Sequence, residues 1–531
     1  MVSYAARRGL FHSVGYVVAN RSKQKPTGAA QYIGRRFSFL EQRAIGFTEA
    51  VENLMMSSAI PIVESVPADL LTPLAIFLAL SEASENCFLL ESVAGGEALA
   101  RYSFIGSGPR MTVTGDDRRS VVIDDGGSTE EDTPIFEFLR NHFQVVKAAS
   151  LPGLPSFVGG AIGYLDFSCV EWFEPSLCSL RDHQDVQAAF MFFDSLVAFD
   201  HAKQVVSIIS LAFEKGADQG IEEARARNIA IRERLETASL RRPISAIAPA
   251  NAKVVSNFTR DQFEKAVAAG KEYIFAGDAY QVVLSQRFSR PTNASDVSIY
   301  RALRSMNPSP YMFLLRFDDK SVIGASPEML VRSTGDRLEY RPIAGTRPRG
   351  KTPEEDAQFA EEMRNDTKEV AEHVMLVDLG RNDLGRVAEF GSVKVDQLLQ
   401  VEKYSHVQHL VSSLSAKLRS GFDRFDALAA CFPAGTVSGA PKVRSVEIIR
   451  ELEPDGRGIY AGAVGYFDYS GNMDTCIAIR TLLLKDGVAH VQAGAGIVAD
   501  SVPALEYEET VNKAKALLRA VEIAESGEFN V

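Results

Sequence analysis

The segment from Cys476 to Lys513 constrains the fold more than any other part of the chain. Cys476 to Leu484 (CIAIRTLLL) is apolar and β-rich, and Lys485-Asp486-Gly487 is a turn signal. Val488 to Val498 (VAHVQAGAGIV) alternates like a returning strand. A two-residue Asp486-Gly487 turn pairs Lys485 with Val488, which places Arg480 opposite Ala493. A guanidinium then lies beside Gly494-Ala495-Gly496, where two missing Cβ atoms let a ligand approach the backbone. Arg480 with the amides of Gly494 to Gly496 makes a carboxylate cradle. Asp500-Ser501-Val502-Pro503 reads as a helix start. Glu506, Glu509 and Lys513 follow at spacings of three and four, on one helix face. An isolated ExxE is ordinarily a solvated, salt-bridged surface. This one emerges from the Gly-Ala-Gly strand, which favours its first turns facing the same hollow.

A second glutamate pair stands upstream, between Asp366 and Asp378. There Val370, Val374 and Val377 make an apolar helix face, while Glu369 and Glu372 share another. Two helices with two carboxylates each offer an oxygen-only donor set, which suits Mg²⁺ rather than zinc.

The 531 residues can bury a large core in two to four domains or one very large one. A net charge of −12 argues against a nucleic-acid surface or an anionic membrane partner, and no apolar run is long enough for a transmembrane helix. Five cysteines without CxxC spacing indicate a reducing compartment, with neither a zinc site nor a disulfide framework. Cytoplasm is the expected location. The start differs: Arg7, Arg8, Arg21, Lys23, Lys25, Arg35 and Arg36 come with no acid before Glu41. A disordered tail is the favoured reading, with an organelle transit peptide or an upstream start-codon artefact as alternatives.

Along the chain, strands and helices do not alternate regularly, so the class is α+β with an antiparallel tendency. Ala188 to Phe199 with Val205 to Leu211 reads as a hairpin, and Ile221 to Leu235 as an amphipathic helix. Thr259 to Gln262 forms a capping box, and Tyr280 to Phe288 a strand. The expected divisions are a basic extension (1–45), an N-terminal region (46–236), a linker (237–255), a second region (256–522) and a tail (523–531). Phe432 to Lys442 (FPAGTVSGAPK) fails as a phosphate loop, because Pro441 removes a needed N–H.

A long series of motifs carries a family resemblance: NPSPYMF, GASPE, PIAGTRPRG, RNDTKEVAEHVMLVDLGRNDLGR, YSHVQHLVS, GTVSGAPK, AGAVGY, DTCIAIRT, QAGAGIV and DSVPALEYEET. In them the chain resembles the chorismate-utilising enzymes, and specifically anthranilate synthase large subunits, from about Phe47 to Leu518. The resemblance implies two stacked, mainly antiparallel β-sheets flanked by helices, with the site between them. It implies Mg²⁺ held by Glu372 and Glu509, with Glu369 and Glu506 acting directly or through water. Tyr460, Arg480 and the Gly494, Ala495 and Gly496 amides would hold a substrate carboxylate. Gly345, Thr346, Thr436, His409 and Lys513 would line the pocket, with Glu328 as general acid. Relatives that add water resemble one another in a lysine where this chain has Gln281, and aminodeoxychorismate synthases in a lysine where it has Ala344. A neutral amide cannot take a proton from water and Ala344 cannot attack, so both point to ammonia as the nucleophile. The implied reaction is amination of chorismate at C2, loss of the C4 hydroxyl, then pyruvate elimination to anthranilate. No Gly-x-Cys-x-Gly nucleophile turn is present, so a glutamine amidotransferase subunit is the expected ammonia source, in a hetero-oligomer. Ser92 with Pro310, Tyr311 and Met312 resembles a tryptophan feedback site. The rivals are component I of aminodeoxychorismate synthase, and isochorismate or aminodeoxyisochorismate synthase. A catalytically dead regulatory subunit would require losses at Glu328, Glu372, Arg480 or Glu509, and all four are present.

Overall fold

Alternation of apolar side chains dominates the strands, and it sorts them onto two faces. In a computed structural model describing residues 58–92, 101–177, 186–213, 217–237, 252–404 and 407–527, Phe88, Phe104 and Phe313 point into a core shared by two sheets. Their neighbours Leu89, Ile105 and Leu314 pack on the opposite face, beneath helices that include Asp296–Met306 and Pro503–Ser526. The described residues make one sheet of 13 strands and one of 12, antiparallel except where Ser58–Pro67 meets Lys147–Ala148. The expected α+β class with two mainly antiparallel sheets is what forms.

Both halves of the chain contribute to each sheet. In the first, Cys87–Glu91 pairs with Tyr311–Phe317; in the second, Gly160–Leu165 pairs with Ala463–Asp468. The basic extension 1–45 lies outside the described residues, as do 238–251 of the expected linker and 528–531 of the tail. The last helix outruns the expected tail boundary at 523. It ends where Gly527 turns left-handed (φ +71°) and donates its N–H to the Ile523 carbonyl at 3.0 Å.

Two stretches expected as single strands break because the chain changes sheet. Ala188–Phe193 belongs to the second sheet and Ser195–Asp200 to the first; Met473–Ile477 belongs to the second and Thr481–Lys485 to the first. A third crossing separates Lys320–Ser326, in the first sheet, from Met329–Thr334, in the second. Strand-forming residues stand on both sides of each break, so distant partners decide the sheet.

Candidate active site

Two of these crossings lie side by side. Lys320–Ser326 pairs with Thr481–Lys485 in one sheet, and Met329–Thr334 pairs with Met473–Ile477 in the other. The links Pro327-Glu328 and Ala478 to Arg480 are therefore neighbours. Ala325 donates its N–H to the Arg480 carbonyl, and Ile477 donates to the Glu328 carbonyl, each at 3.1 Å. The Asp486-Gly487 turn has the expected register, Lys485 against Val488, with both turn residues at positive φ. Pairing stops at Leu482 against Val491, however, so Arg480 is not a strand residue. It occupies the link itself at φ +48°, a left-handed conformation that costs a side-chain-bearing residue roughly 1–3 kcal/mol.

Beside the crossings opens a cavity of about 800 Å³. It is lined by Glu328, Gly345, Thr346, His409, Thr436, Tyr460, Arg480, Gly494, Gly496 and Lys513, together with Glu369, Glu372, Glu506 and Glu509. Strands of both sheets, the links holding Glu328 and Arg480, the short helix Gly435–Ser438, the turn at Tyr460, and the helices Thr367–Gly385 and Pro503–Ser526 supply them. Ala495 is the exception among the expected residues: its side chain turns into the core, fully buried, as strand alternation requires between two cavity-facing glycines. The glycines are needed. A Cβ on Gly494 would stand 2.8 Å from the Tyr460 hydroxyl and 3.0 Å from the Leu284 carbonyl oxygen, and one on Gly496 would stand 2.4 Å from the Gln281 amide.

Glu328 is buried, and burial raises its carboxyl to about 8. Thr436, the Ile343 N–H and the Arg480 guanidinium lie close enough to favour the anion, but do not offset the loss of water. Neither Glu328 Oε1 nor Thr436 Oγ1 completes a well-formed hydrogen bond within the chain. Glu328 is thus a neutral acid near pH 7. Arg480 is enclosed by protein yet open to solvent through the cavity. Burial lowers the proton affinity of His409. Its Nδ1 lies 3.0 Å from both the Thr346 hydroxyl and the Gly345 carbonyl; the carbonyl can only accept, and a proton on Nδ1 satisfies it while Nε2 keeps its lone pair. Tyr460 is held as a neutral phenol, pushed up to about 12 by burial.

The two glutamate helices do meet at this cavity. Glu372 is raised by burial and then by Glu369, with Glu509 of the other helix adding to the effect, while Gln281 and Lys368 oppose it. Glu506 is likewise raised by burial and by Glu509. The valine face differs from expectation: Val374 is exposed, and the buried side of that helix is His373, Leu376, Val377 and Gly380. Two of the carboxylates have basic partners, Glu509 with Lys513 at 2.7 Å and Glu369 with Arg347 at 3.2 Å. Among the described residues no three carboxylate, histidine or cysteine side chains are drawn tightly enough together to enclose a metal. The donors are nonetheless all oxygens, the ligand chemistry of a hard divalent cation, and Glu372 and Glu506 are raised by burial first and by a neighbouring carboxylate second.

A second cavity, of about 420 Å³, gathers Ser92, Pro310, Tyr311 and Met312 as the sequence predicts. Aromatic Tyr102 and Phe104 line it with the charged groups of Glu91, Arg101, Arg332 and Asp474. The Ser92 hydroxyl is buried there without a partner, and Pro310 lines both cavities. Lys368, Tyr404, Gln492 and Asn512 line the larger cavity and were not anticipated. Gln492 had a signal, since it precedes Gly494 and Gly496 at the strand period of two. Asn512 stands three residues after Glu509 on the same helix face.

The chorismate binding enzyme family matches residues 85–519, a span that takes in every residue named around the larger cavity. This chain belongs to the chorismate binding enzymes. Within that family it is 46% identical to anthranilate synthase component 1 of Acetivibrio thermocellus, over 88% of this chain and 96% of that one. The component 1 protein of Pseudomonas putida is 44% identical, over 92% of this chain and 99% of its own. The crystal structure of anthranilate synthase component I from Streptococcus pneumoniae superposes with a TM-score of 0.70 at 37% identity, covering 79% of this chain and 92% of that one.

Proposed function

We propose that the chain is the synthase component of an anthranilate synthase, converting chorismate and ammonia to anthranilate, pyruvate and water. The observation that carries this reading is the buried Glu328 set beside Arg480 at the paired sheet crossings, both lining the cavity. Arg480, Tyr460 and the Gly494–Gly496 backbone bind a substrate carboxylate. As ammonia adds at C2, Glu328 gives its proton to the departing C4 hydroxyl, which leaves as water. His409, with Nδ1 committed to Gly345, presents Nε2 to accept the C2 proton as the enolpyruvyl group leaves. Glu372 and Glu509, with help from Glu369 and Glu506, would hold a divalent cation, Mg²⁺ by their oxygen donors, and the ion would supply neutralising positive charge for a substrate carboxylate.

Two lining residues favour ammonia over the rival nucleophiles. Gln281 has no basic atom to activate water, and Ala344 has no amine to attack C2. A separate glutamine amidotransferase supplies the ammonia in this reading. Cys87, Cys169, Cys431 and Cys476 are all free and buried, with burial raising each thiol (Cys87 to about 12), so none of them is a glutaminase nucleophile. Free buried thiols also fit a reducing compartment such as the cytoplasm, and no described helix is long and apolar enough to cross a membrane. The smaller cavity suits tryptophan as a feedback inhibitor: aromatic walls for an indole, and charges of both signs for its ammonium and carboxylate.

The test is purified chain with chorismate, Mg²⁺ and an ammonium salt at about pH 8, where some free NH₃ coexists with protonated Glu328. Anthranilate fluorescence with equimolar pyruvate is expected. An aminated product without pyruvate, or isochorismate, would transfer the chain to one of the rival activities. Anthranilate from glutamine with no partner present would sink the two-subunit arrangement.

A further inference from the structure

A buried ion pair lies behind the cavity wall and touches nothing inside it. Glu453 caps the C-terminal end of the helix Lys442–Leu452, where a carboxylate faces the helix's negative pole. It persists because its partners are complete. Arg457 Nε donates to Glu453 Oε2 at 3.0 Å and Nη2 to Oε1 at 2.7 Å, while the Ser285 N–H and hydroxyl donate to Oε1 at 2.8 and 2.9 Å. Both side chains of the pair are nearly inaccessible, 2% and 4% exposed.

The remaining donors of the guanidinium reach outward to the wall. Nη1 donates to the Val437 carbonyl at 2.7 Å, and Nη2 to the Val283 carbonyl at 2.6 Å. Val437 follows Thr436 in the short helix Gly435–Ser438, and Thr436 lines the cavity together with Glu328. Ser285 passes the connection to a further lining residue, accepting from Gln492 Nε2 at 2.9 Å. The guanidinium also lies 5.7 Å from the centre of the Tyr460 ring. One planar fork thus ties together the segments that carry Thr436, Val283, Gln492 and Tyr460, and a lysine could not span them.

We propose that Arg457, held by Glu453, is a positioning residue that fixes Thr436 at its place in the cavity wall it shares with Glu328. This rests on the reading of Glu328 as the proton donor. The Thr436 hydroxyl favours the anion of Glu328, so letting it drift weakens the acid further.

The test uses the full chain with two replacements. Arg457→Lys keeps the charge and loses the fork. The double variant Arg457→Met with Glu453→Met removes both charges at similar volume, a change that buried ion pairs commonly tolerate, so it covers the case in which the single variant does not fold. The expected result per folded molecule is a drop in kcat of about tenfold or more with KM for chorismate changed less than about threefold. The alkaline limb of the kcat–pH profile should move to higher pH. A purely structural pair would lower the melting temperature and leave that limb in place. A folded double variant with wild-type kcat and an unmoved limb overturns the proposal. Glu328→Gln is assayed beside them. If it stays active, the acid reading itself fails; if it is inactive while the double variant behaves as wild type, only the positioning role fails.

Discussion

Glu328→Gln replaces the neutral acid with an amide of the same shape that cannot titrate. The shift from 4.5 to about 8 corresponds to roughly 5 kcal/mol disfavouring the carboxylate in the folded chain. The folded-state value is the higher one. Between about pH 4.5 and 8 the unfolded chain has therefore lost a proton that the folded chain keeps. Over that window this group lowers wild-type stability by about 1.4 kcal/mol per pH unit, and the loss levels off above pH 8. The glutamine variant lacks this slope, so the stability difference should move in its favour by several kcal/mol between acid and alkaline pH. Urea unfolding of both proteins at about pH 5, 7 and 9 reads it directly. The same variant should lose about 10²- to 10⁴-fold in kcat, the usual worth of a general acid. Parallel stability curves would refute the buried neutral carboxyl, and near-normal turnover would refute its role.

Gly494→Ala should raise KM for chorismate by about tenfold or more, because its Cβ meets the Leu284 backbone carbonyl, which cannot rotate away. Unchanged steady-state kinetics would show that the strand does not form the carboxylate cradle. Glu372→Gln should weaken Mg²⁺ binding at least about tenfold by titration calorimetry, with the melting curve little changed; unaltered affinity would remove Glu372 from the donor set. Ser92→Phe should fill the smaller cavity, blunting tryptophan inhibition while turnover persists. Inhibition curves that overlay the wild type would discard that assignment.

What could be read from the chain was what local chemistry decides. The Asp486-Gly487 turn fixes its own register through two positive φ values, and Thr259 with Gln262 forms the reciprocal capping box its spacing predicts. Gly494 and Gly496 marked the wall of the cavity because nothing larger fits beneath Tyr460 and Gln281. What could not be read depends on partners far away in sequence. Cys476 to Leu484 looks like one strand, yet its halves pair with Ala463–Asp468 and Met329–Thr334 in one sheet, and with Lys320–Ser326 and Val488–Ile497 in the other. Val374 has the right spacing for a buried face, but the helix turns His373 inward instead, where its Nε2 meets the Ser412 hydroxyl at 2.6 Å. The Arg457–Glu453 pair is four residues apart in a segment with no catalytic signature, and its role comes from the carbonyls it reaches.

The paired crossings also limit how such a chain can vary. Each link joins strands whose side chains alternate in two different sheets. Inserting or deleting a single residue between Ser326 and Met329, or between Ile477 and Thr481, would turn one whole strand inside out. Loops at the sheet margins can lengthen freely, whereas the spacing that brings Glu328 to Arg480 is locked to the architecture. In a chain built this way, losing count at either link costs the fold before it costs the chemistry.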